Sequence, residues 1–253
     1  MSRQKLGQHF LIRGSVLERI AAAVCPVPTD IVVEIGPGRG ALTEKLLERA
    51  AHVVAIELDS YLVEHLRQKF TREPRLELVH ADVVATDLGQ WGRAPVAGNL
   101  PYYITSPILQ QTVRSGVPRA VFLVQKEVAE RLVAKPGGRD YGFLTVHMAL
   151  FADIRLLFEV KPAAFHPPPK VDSAVVLLEP HQRVWGADPD LLLRFMGRCF
   201  AHKRKTIRNN LAEFYGKERI ATWPEAGLRA EQLSIEEFAA MYARIAAAGD
   251  DTE

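Results

Sequence analysis

Asn99, Leu100, Pro101 and Tyr102 stand in a row after the short apolar run Pro95–Gly98, and their types suit one demanding job. An exocyclic amine on an aromatic ring is a poor nucleophile, because its lone pair is delocalised into the ring. The side-chain oxygen of Asn99 and a backbone carbonyl from Leu100 or Pro101 can accept its two N–H bonds and return that pair to nitrogen. Pro101 has a fixed φ and no N–H, which helps aim the carbonyl before it. Tyr102 offers a flat face for the ring. The same four types also make an ordinary strand-to-turn link. The elements that position them must decide.

Those elements begin with Ile31–Ile35, an apolar β-branched run that breaks at Gly36-Pro37-Gly38-Arg39-Gly40 and is followed by a helical pattern over Ala41–Ala51. The loop parses as G-x-G-x-x-G/A, a form in which backbone approaches a nucleotide closely at a helix start. Glu57 closes the next predicted strand, Val53–Ile56, where it could bind ribose hydroxyls. This much fits an NAD enzyme nearly as well as an S-adenosylmethionine enzyme. Three features favour the second: Glu34 lies in the strand before the loop, Asp82 follows a third strand at Leu76–Val79, and Asn99 ends a fourth at Val96–Gly98. In an open α/β sheet such strand ends converge on one crevice. Glu34 could face the ligand's amino group and Asp82 the adenine amine.

Ala120–Val124 completes the parallel set, with helices predicted over Leu58–Phe70, Ser106–Ser115 and Lys126–Ala134. Continuous rather than alternating apolar strands indicate a sheet covered on both faces. Ile154–Val160 and Ala174–Leu178 predict an antiparallel edge, joined by the proline-rich stretch 162–170. After Glu179-Pro180 the pattern is helical, over Asp188–Leu211, Lys217–Thr222 and Ser234–Ala248, with a capping box at Ser234 and Glu237. The expected division is 1–183 and 184–253. The 253 residues hold 48% hydrophobic and 25% charged residues, ordinary for a globular chain. No apolar run reaches the roughly 20 residues needed to cross a bilayer. Cys25 and Cys199 make no disulfide framework, which suits a reducing cytosol. No Cys/His cluster has zinc spacing, so no metal is expected. From Leu191 to Leu211 there are six basic residues and no acidic one, and a phosphate-binding face there rests on Lys203, Arg204, Lys205 and Arg208.

The chain resembles the KsgA family of small-subunit ribosomal RNA adenine dimethyltransferases. The match runs through Lys5–Leu11, Val33–Thr43, Ala55–Asp59, Gly98–Pro107, Phe122–Arg131, Phe165–Ala174 and Phe200–Thr206. It implies a Rossmann-like class I S-adenosylmethionine-dependent methyltransferase domain and a small all-helical C-terminal domain. It also implies methyl transfer to N6 of two adjacent adenosines in the 3'-terminal hairpin loop of 16S rRNA. Cofactor contacts would fall on His9, Leu11, Gly36, Glu57, Asp82 and Asn99. Position 9 is often Asn in this family, and His9 departs from that pattern. The amine would be held by Asn99 with Leu100 or Pro101, between Tyr102 and Phe165, while Arg3 and Lys5 assist with RNA and Gln8–Phe10 close over the cofactor. The expected substrate is an immature small ribosomal subunit, met by a cytoplasmic monomer. A large-subunit adenine methyltransferase of the resistance type, a non-catalytic ribosome-assembly or transcription factor, and an NAD-dependent dehydrogenase are the competing readings.

Overall fold

The computed structural model describes residues 9–247 and 249, so Arg3, Lys5 and Gln8 lie outside the described residues. Two compact units emerge. The first holds the described residues up to Ala129 together with Asp153–Pro180, and the second holds Glu130–Ala152 with those from His181 onward. In chain order the first contains β1 (Phe10–Leu11), α1 (Gly14–Val24), β2 (Thr29–Ile35), α2 (Ala41–Leu47), β3 (Ala50–Glu57), α3 (Ser60–Lys69), β4 (Leu76–His80), β5 (Val96–Asn99), α4 (Thr105–Arg114), β6 (Ala120–Gln125) and the start of α5 (Lys126–Leu132). After α6 (Phe143–Phe151) come β7 (Ala152–Val160), β8 (Phe165–His166) and β9 (Ser173–Pro180). The chain then forms α7 (Pro189–Cys199), α8 (Ile207–Tyr215), α9 (Lys217–Ala221) and α10 (Ile235–Ala246).

Seven strands form one sheet in the order β4-β3-β2-β5-β6-β9-β7, a Rossmann-like α/β arrangement. The pairs among β2 to β6 are parallel, while β9 runs antiparallel to β6. Val32, Val33, Val53, Val54, Val121 and Leu123 are all buried, which is why these strands read as unbroken apolar runs. On one face α1 lays down Leu17, Ile20, Ala21 and Val24, at helical spacing, into the same core as Leu46 and Val53. Truncating such a side chain to Ala typically costs about 2–5 kcal/mol. β2 has β3 on one side and β5 on the other, so the connections leave in opposite directions. A crevice opens at their C-terminal ends. β1 and β8 form a separate antiparallel pair, Phe10 opposite His166 and Leu11 opposite Phe165.

Two expectations from the sequence need correcting, and two helices went unforeseen. The single boundary after residue 183 is replaced by an exchange of segments: Tyr141, Val146 and Leu150 pack into the same core as Phe195, Leu211 and Phe238, which draws Glu130–Ala152 into the helical unit. The predicted helix over Asp188–Leu211 is two helices. Asn210, 5% exposed, donates from Nδ2 to the carbonyls of Cys199, His202 and Lys205 and accepts the His202 N–H on Oδ1, so it folds residues 200–206 into a tight loop. Finally, α1 and α6 carried no expectation at all. α6 is buried on most of its surface, which erases the polar face that marks a helix in sequence.

Candidate active site

Four strand ends meet at the crevice. At the end of β2, Gly36 turns with φ +65° and the chain passes over Gly38 into α2. Gly40 stands just ahead of α2 with φ +76°, and a Cβ there would lie 2.6 Å from the Phe70 ring and 2.9 Å from Leu66. A side chain here would be strained by the positive φ and would have to push the Phe70 ring and Leu66 aside. At the end of β3, Glu57 is 7% exposed and accepts three backbone N–H groups: Gly38 on Oε2 at 3.1 Å, and Leu58 and Asp59 on Oε1 at 3.0 Å each. Burial pushes its pKa up, against those three donors. One carboxylate thus ties the glycine loop to the neighbouring strand.

Glu34, 1% exposed, accepts a hydrogen bond from Thr43 Oγ1 at 2.6 Å. Desolvation pushes its pKa up to about 8, with the Thr43 bond opposing and the Glu57 charge adding. Asp82, beyond β4, is exposed; its Oδ1 accepts the Val84 N–H at 2.9 Å and so starts a single 3-10 turn.

At the end of β5, Asn99 donates from Nδ2 to the His9 carbonyl at 3.0 Å, and its Oδ1 has no partner among the described residues. The Pro101 carbonyl accepts the Ile104 N–H at 3.2 Å and the Thr105 hydroxyl at 3.0 Å. Of the two expected backbone acceptors, only the Leu100 carbonyl has no partner among the described residues. The Tyr102 hydroxyl meets Ser173 Oγ at 3.0 Å, a bond that sets the ring's tilt from a fully buried position on β9. Gly98 closes the arrangement: a Cβ there would stand 2.6 Å from the Ile35 carbonyl, so β5 approaches β2 closely only without one.

These groups enclose a cavity of about 300 Å³, walled by β1, the glycine loop, Glu34, Glu57 and residues 99–102. A smaller one, about 60 Å³, runs beside it past Asp82, Val83, Tyr103 and Ile108. Gly36, Glu57 and Pro101 line both.

A model of ribosomal RNA adenine dimethylases matches residues 1–247. A ribosomal RNA small subunit methyltransferase A from Acidobacterium capsulatum is 43% identical over 254 residues, covering 95% of this chain and 90% of that protein. The protein of the same name from Geobacter metallireducens is 41% identical and covers 98% and 97%. The chain belongs to the ribosomal RNA adenine dimethylase family. Among solved structures, a dimethyladenosine transferase from Plasmodium falciparum matches with TM-score 0.81 at 27% identity, covering 95% and 98%. The 23S rRNA methyltransferase ErmE matches with TM-score 0.74 at 27% identity, covering 94% and 99%.

As a member of this family the chain is an S-adenosylmethionine-dependent rRNA adenine dimethyltransferase. The cavity walls fit that cofactor. Its sulfonium and ammonium are cationic, and two buried acidic groups face the space: Glu57, and Glu34, whose burial favours the protonated form until a cation is present. Glu57, on the wall common to both cavities, offers the acceptors a ribose diol would need, and Asp82 lines the smaller space that would take an adenine edge. The volume lies in the range of small-molecule sites.

Of the residues expected at the cofactor from sequence, His9, Leu11, Gly36, Glu57 and Asn99 line the larger cavity and Asp82 the smaller. Phe165 is a correction. It is 3% exposed and packs in the core with Leu11 and Val175, because its place opposite Leu11 turns it inward from the β1–β8 pair. Its neighbour His166 lines the cavity instead. Pro101 is also corrected: its carbonyl is consumed locally, so its part is to hold φ at −60° before Tyr102. Lys203, Arg204, Lys205 and Arg208 are all exposed, the first three on the Asn210-held loop and not on a helix face. Sequence reasoning passed over Thr43, Ser173 and the Pro167 carbonyl. Ser173 and Pro167 lie 71 and 158 residues from the groups they hold, beyond the reach of any local signal.

Proposed function

We propose that this chain dimethylates N6 of two adjacent adenosines in the 3'-terminal hairpin loop of 16S rRNA, presented by an immature small ribosomal subunit. We also infer that it acts as a monomer in the cytoplasm. The observation that carries the reading is the fixed amide of Asn99: with Nδ2 committed to the His9 carbonyl, Oδ1 is the end offered to a substrate amine. Asn99 Oδ1 and the Leu100 carbonyl accept the two N6 hydrogens and localise the lone pair on nitrogen. Tyr102 stacks on the base, worth roughly 1–3 kcal/mol, which offsets much of the few kcal/mol needed to unstack it. S-adenosylmethionine, when bound, supplies an electrophilic methyl group on a sulfonium, already a good leaving group. Gly36, Glu57 and Asp82 place it, with Leu11 closing the near side. Positioning of this kind can supply up to roughly 7–11 kcal/mol of barrier lowering. After the first transfer N6 keeps one hydrogen, so a single acceptor suffices for the second.

Lys203, Arg204, Lys205 and Arg208 meet RNA phosphates in this reading. No helix among the described residues is long and apolar enough to cross a membrane. Incubation with labelled S-adenosylmethionine and immature small subunits, followed by mapping, is expected to place label on the adjacent adenosine pair. Label confined to large-subunit RNA, or none with cofactor bound, would overturn the assignment. At saturating cofactor Asn99→Ala is expected to lower kcat by about 100-fold, the range of a lost catalytic hydrogen-bonding group. Near-normal methylation by Asn99→Ala would remove its proposed role.

A further inference from the structure

The described chain begins at His9, and both its side chain and its backbone are committed. His9 Nδ1 lies 2.8 Å from the Pro167 carbonyl. A carbonyl oxygen only accepts, so Nδ1 carries the hydrogen. The His9 carbonyl in turn accepts from Asn99 Nδ2 at 3.0 Å. For the same reason only the amide nitrogen of Asn99 can face it. The two bonds form a relay from the proline-rich segment, through one residue of the N-terminal strand, to the group that holds the substrate amine. Beyond His9 the strand is anchored by its own backbone, with the Ile12 N–H on the Ala164 carbonyl at 2.9 Å. β1 starts at Phe10, paired with His166, so His9 itself has no strand partner among the described residues and its side chain supplies the added tie.

We propose that His9 is a positioning residue: its imidazole pins the strand to Pro167, and the carbonyl so placed sets which end of the Asn99 amide faces the substrate. This rests on the reading of Asn99 given above, and it differs from a contact between the His9 ring and the cofactor. Without the imidazole bond, the His9 carbonyl loses its fixed place and the Asn99 amide is free to turn over. Its NH₂ would then face the adenine amine, donor against donor, and the acceptor needed for the reaction would be gone. The Tyr102 ring, 6.0 Å from the imidazole and tilted 31° to it, is the third wall that keeps His9 in place.

Two substitutions separate the alternatives. His9→Leu keeps apolar bulk and removes the donor; His9→Asn restores an amide N–H. At saturating cofactor and RNA, His9→Leu is expected to lower kcat about tenfold, the size of one lost hydrogen bond, while the cofactor Kd from calorimetry moves less than about twofold. His9→Asn is expected to recover kcat to within about threefold of the parent, since it keeps the donor. The pair His9→Leu/Asn99→Ala is expected to be no slower than Asn99→Ala alone, because both act through one group. Unchanged kcat in His9→Leu overturns the proposal. So does a loss that appears in cofactor Kd instead of kcat, or one fully additive with Asn99→Ala. Should His9→Leu fail to fold, His9→Gln displaces the donor by one methylene and is read by the same kcat and Kd criteria. Near-normal methylation by Asn99→Ala would overturn the underlying reading of the site, whereas an inactive Asn99→Ala beside a normal His9→Leu overturns only the role of His9.

Discussion

Glu34 is the residue whose burial has the plainest physical consequence. It sits in the middle of the sheet, opposite Ala55 on one side and Ala97 on the other, with the Thr43 hydroxyl as its one side-chain hydrogen-bond donor among the described residues. Its pKa rises from 4.5 to about 8 because water is excluded around it, and the Glu57 charge pushes the same way. Between these two values the unfolded chain has released the proton while the folded chain still holds it. Stability from this group is therefore complete below the lower value and falls as pH rises through the higher one. Glu34→Gln keeps the shape and the acceptor for Thr43 but has no proton to lose. In the cofactor-free protein the melting temperature of Glu34→Gln minus that of the parent is expected to widen from about pH 5 to pH 8 and then level off. A difference that stays flat or narrows over that range would mean Glu34 is ionised in the folded protein. Thr43 was invisible as a partner in sequence, since nothing in a helix-forming run marks one hydroxyl as the sole donor to a buried acid.

The elements show where sequence is legible and where it stops. β2, β3, β5 and β6 were readable because strands covered on both faces are apolar throughout, and the glycine loop because Gly36 and Gly40 occupy positive φ. The acids at strand ends followed from topology. Phe165 was misplaced because facing in or out depends on its pairing opposite Leu11, which no local pattern encodes. The turn between α7 and α8 was missed for a related reason. Its maker, Asn210, lies eight residues past His202 and reads as one more polar residue on a basic helix. Asn210→Ala strips four hydrogen bonds from the 199–205 backbone and leaves the Cys199 carbonyl and the His202 N–H unmatched, while the His202 carbonyl keeps the Lys205 N–H. It is expected to lower unfolding free energy by about 1–3 kcal/mol, by denaturant titration, and to weaken RNA binding although no basic side chain has changed. Asn210→Asp keeps the acceptor for the His202 N–H and loses the donors. Equal RNA affinity in the parent and Asn210→Ala would show that the loop's conformation plays no part in binding.

For the whole molecule, 32 basic against 30 acidic residues leave a net charge of only +2, so attraction to RNA cannot come from the average field. In the proposed reading it comes from local concentration: Lys203, Arg204 and Lys205 on the loop before α8 and Arg208 in its first turn, all exposed. No ion pair engages any of the four among the described residues. Each phosphate neutralised releases counterions, which makes log K fall with log salt by about 0.7 to 0.9 per contact. Replacing Lys203, Arg204 and Lys205 together with Ala is therefore expected to make that slope shallower by about 2 to 3. The affinities of parent and variant should differ most at low salt and converge as salt rises. Cofactor affinity is the internal control, since none of the three lines the cavities that hold Glu57 and Asp82. A slope unchanged by the triple substitution would mean the loop is solvated in the complex and the phosphates are met elsewhere. A uniform loss at every salt concentration, with the slope intact, would point to damaged folding or to contacts with bases. Only the change in slope identifies the loop as the place where RNA charge is neutralised.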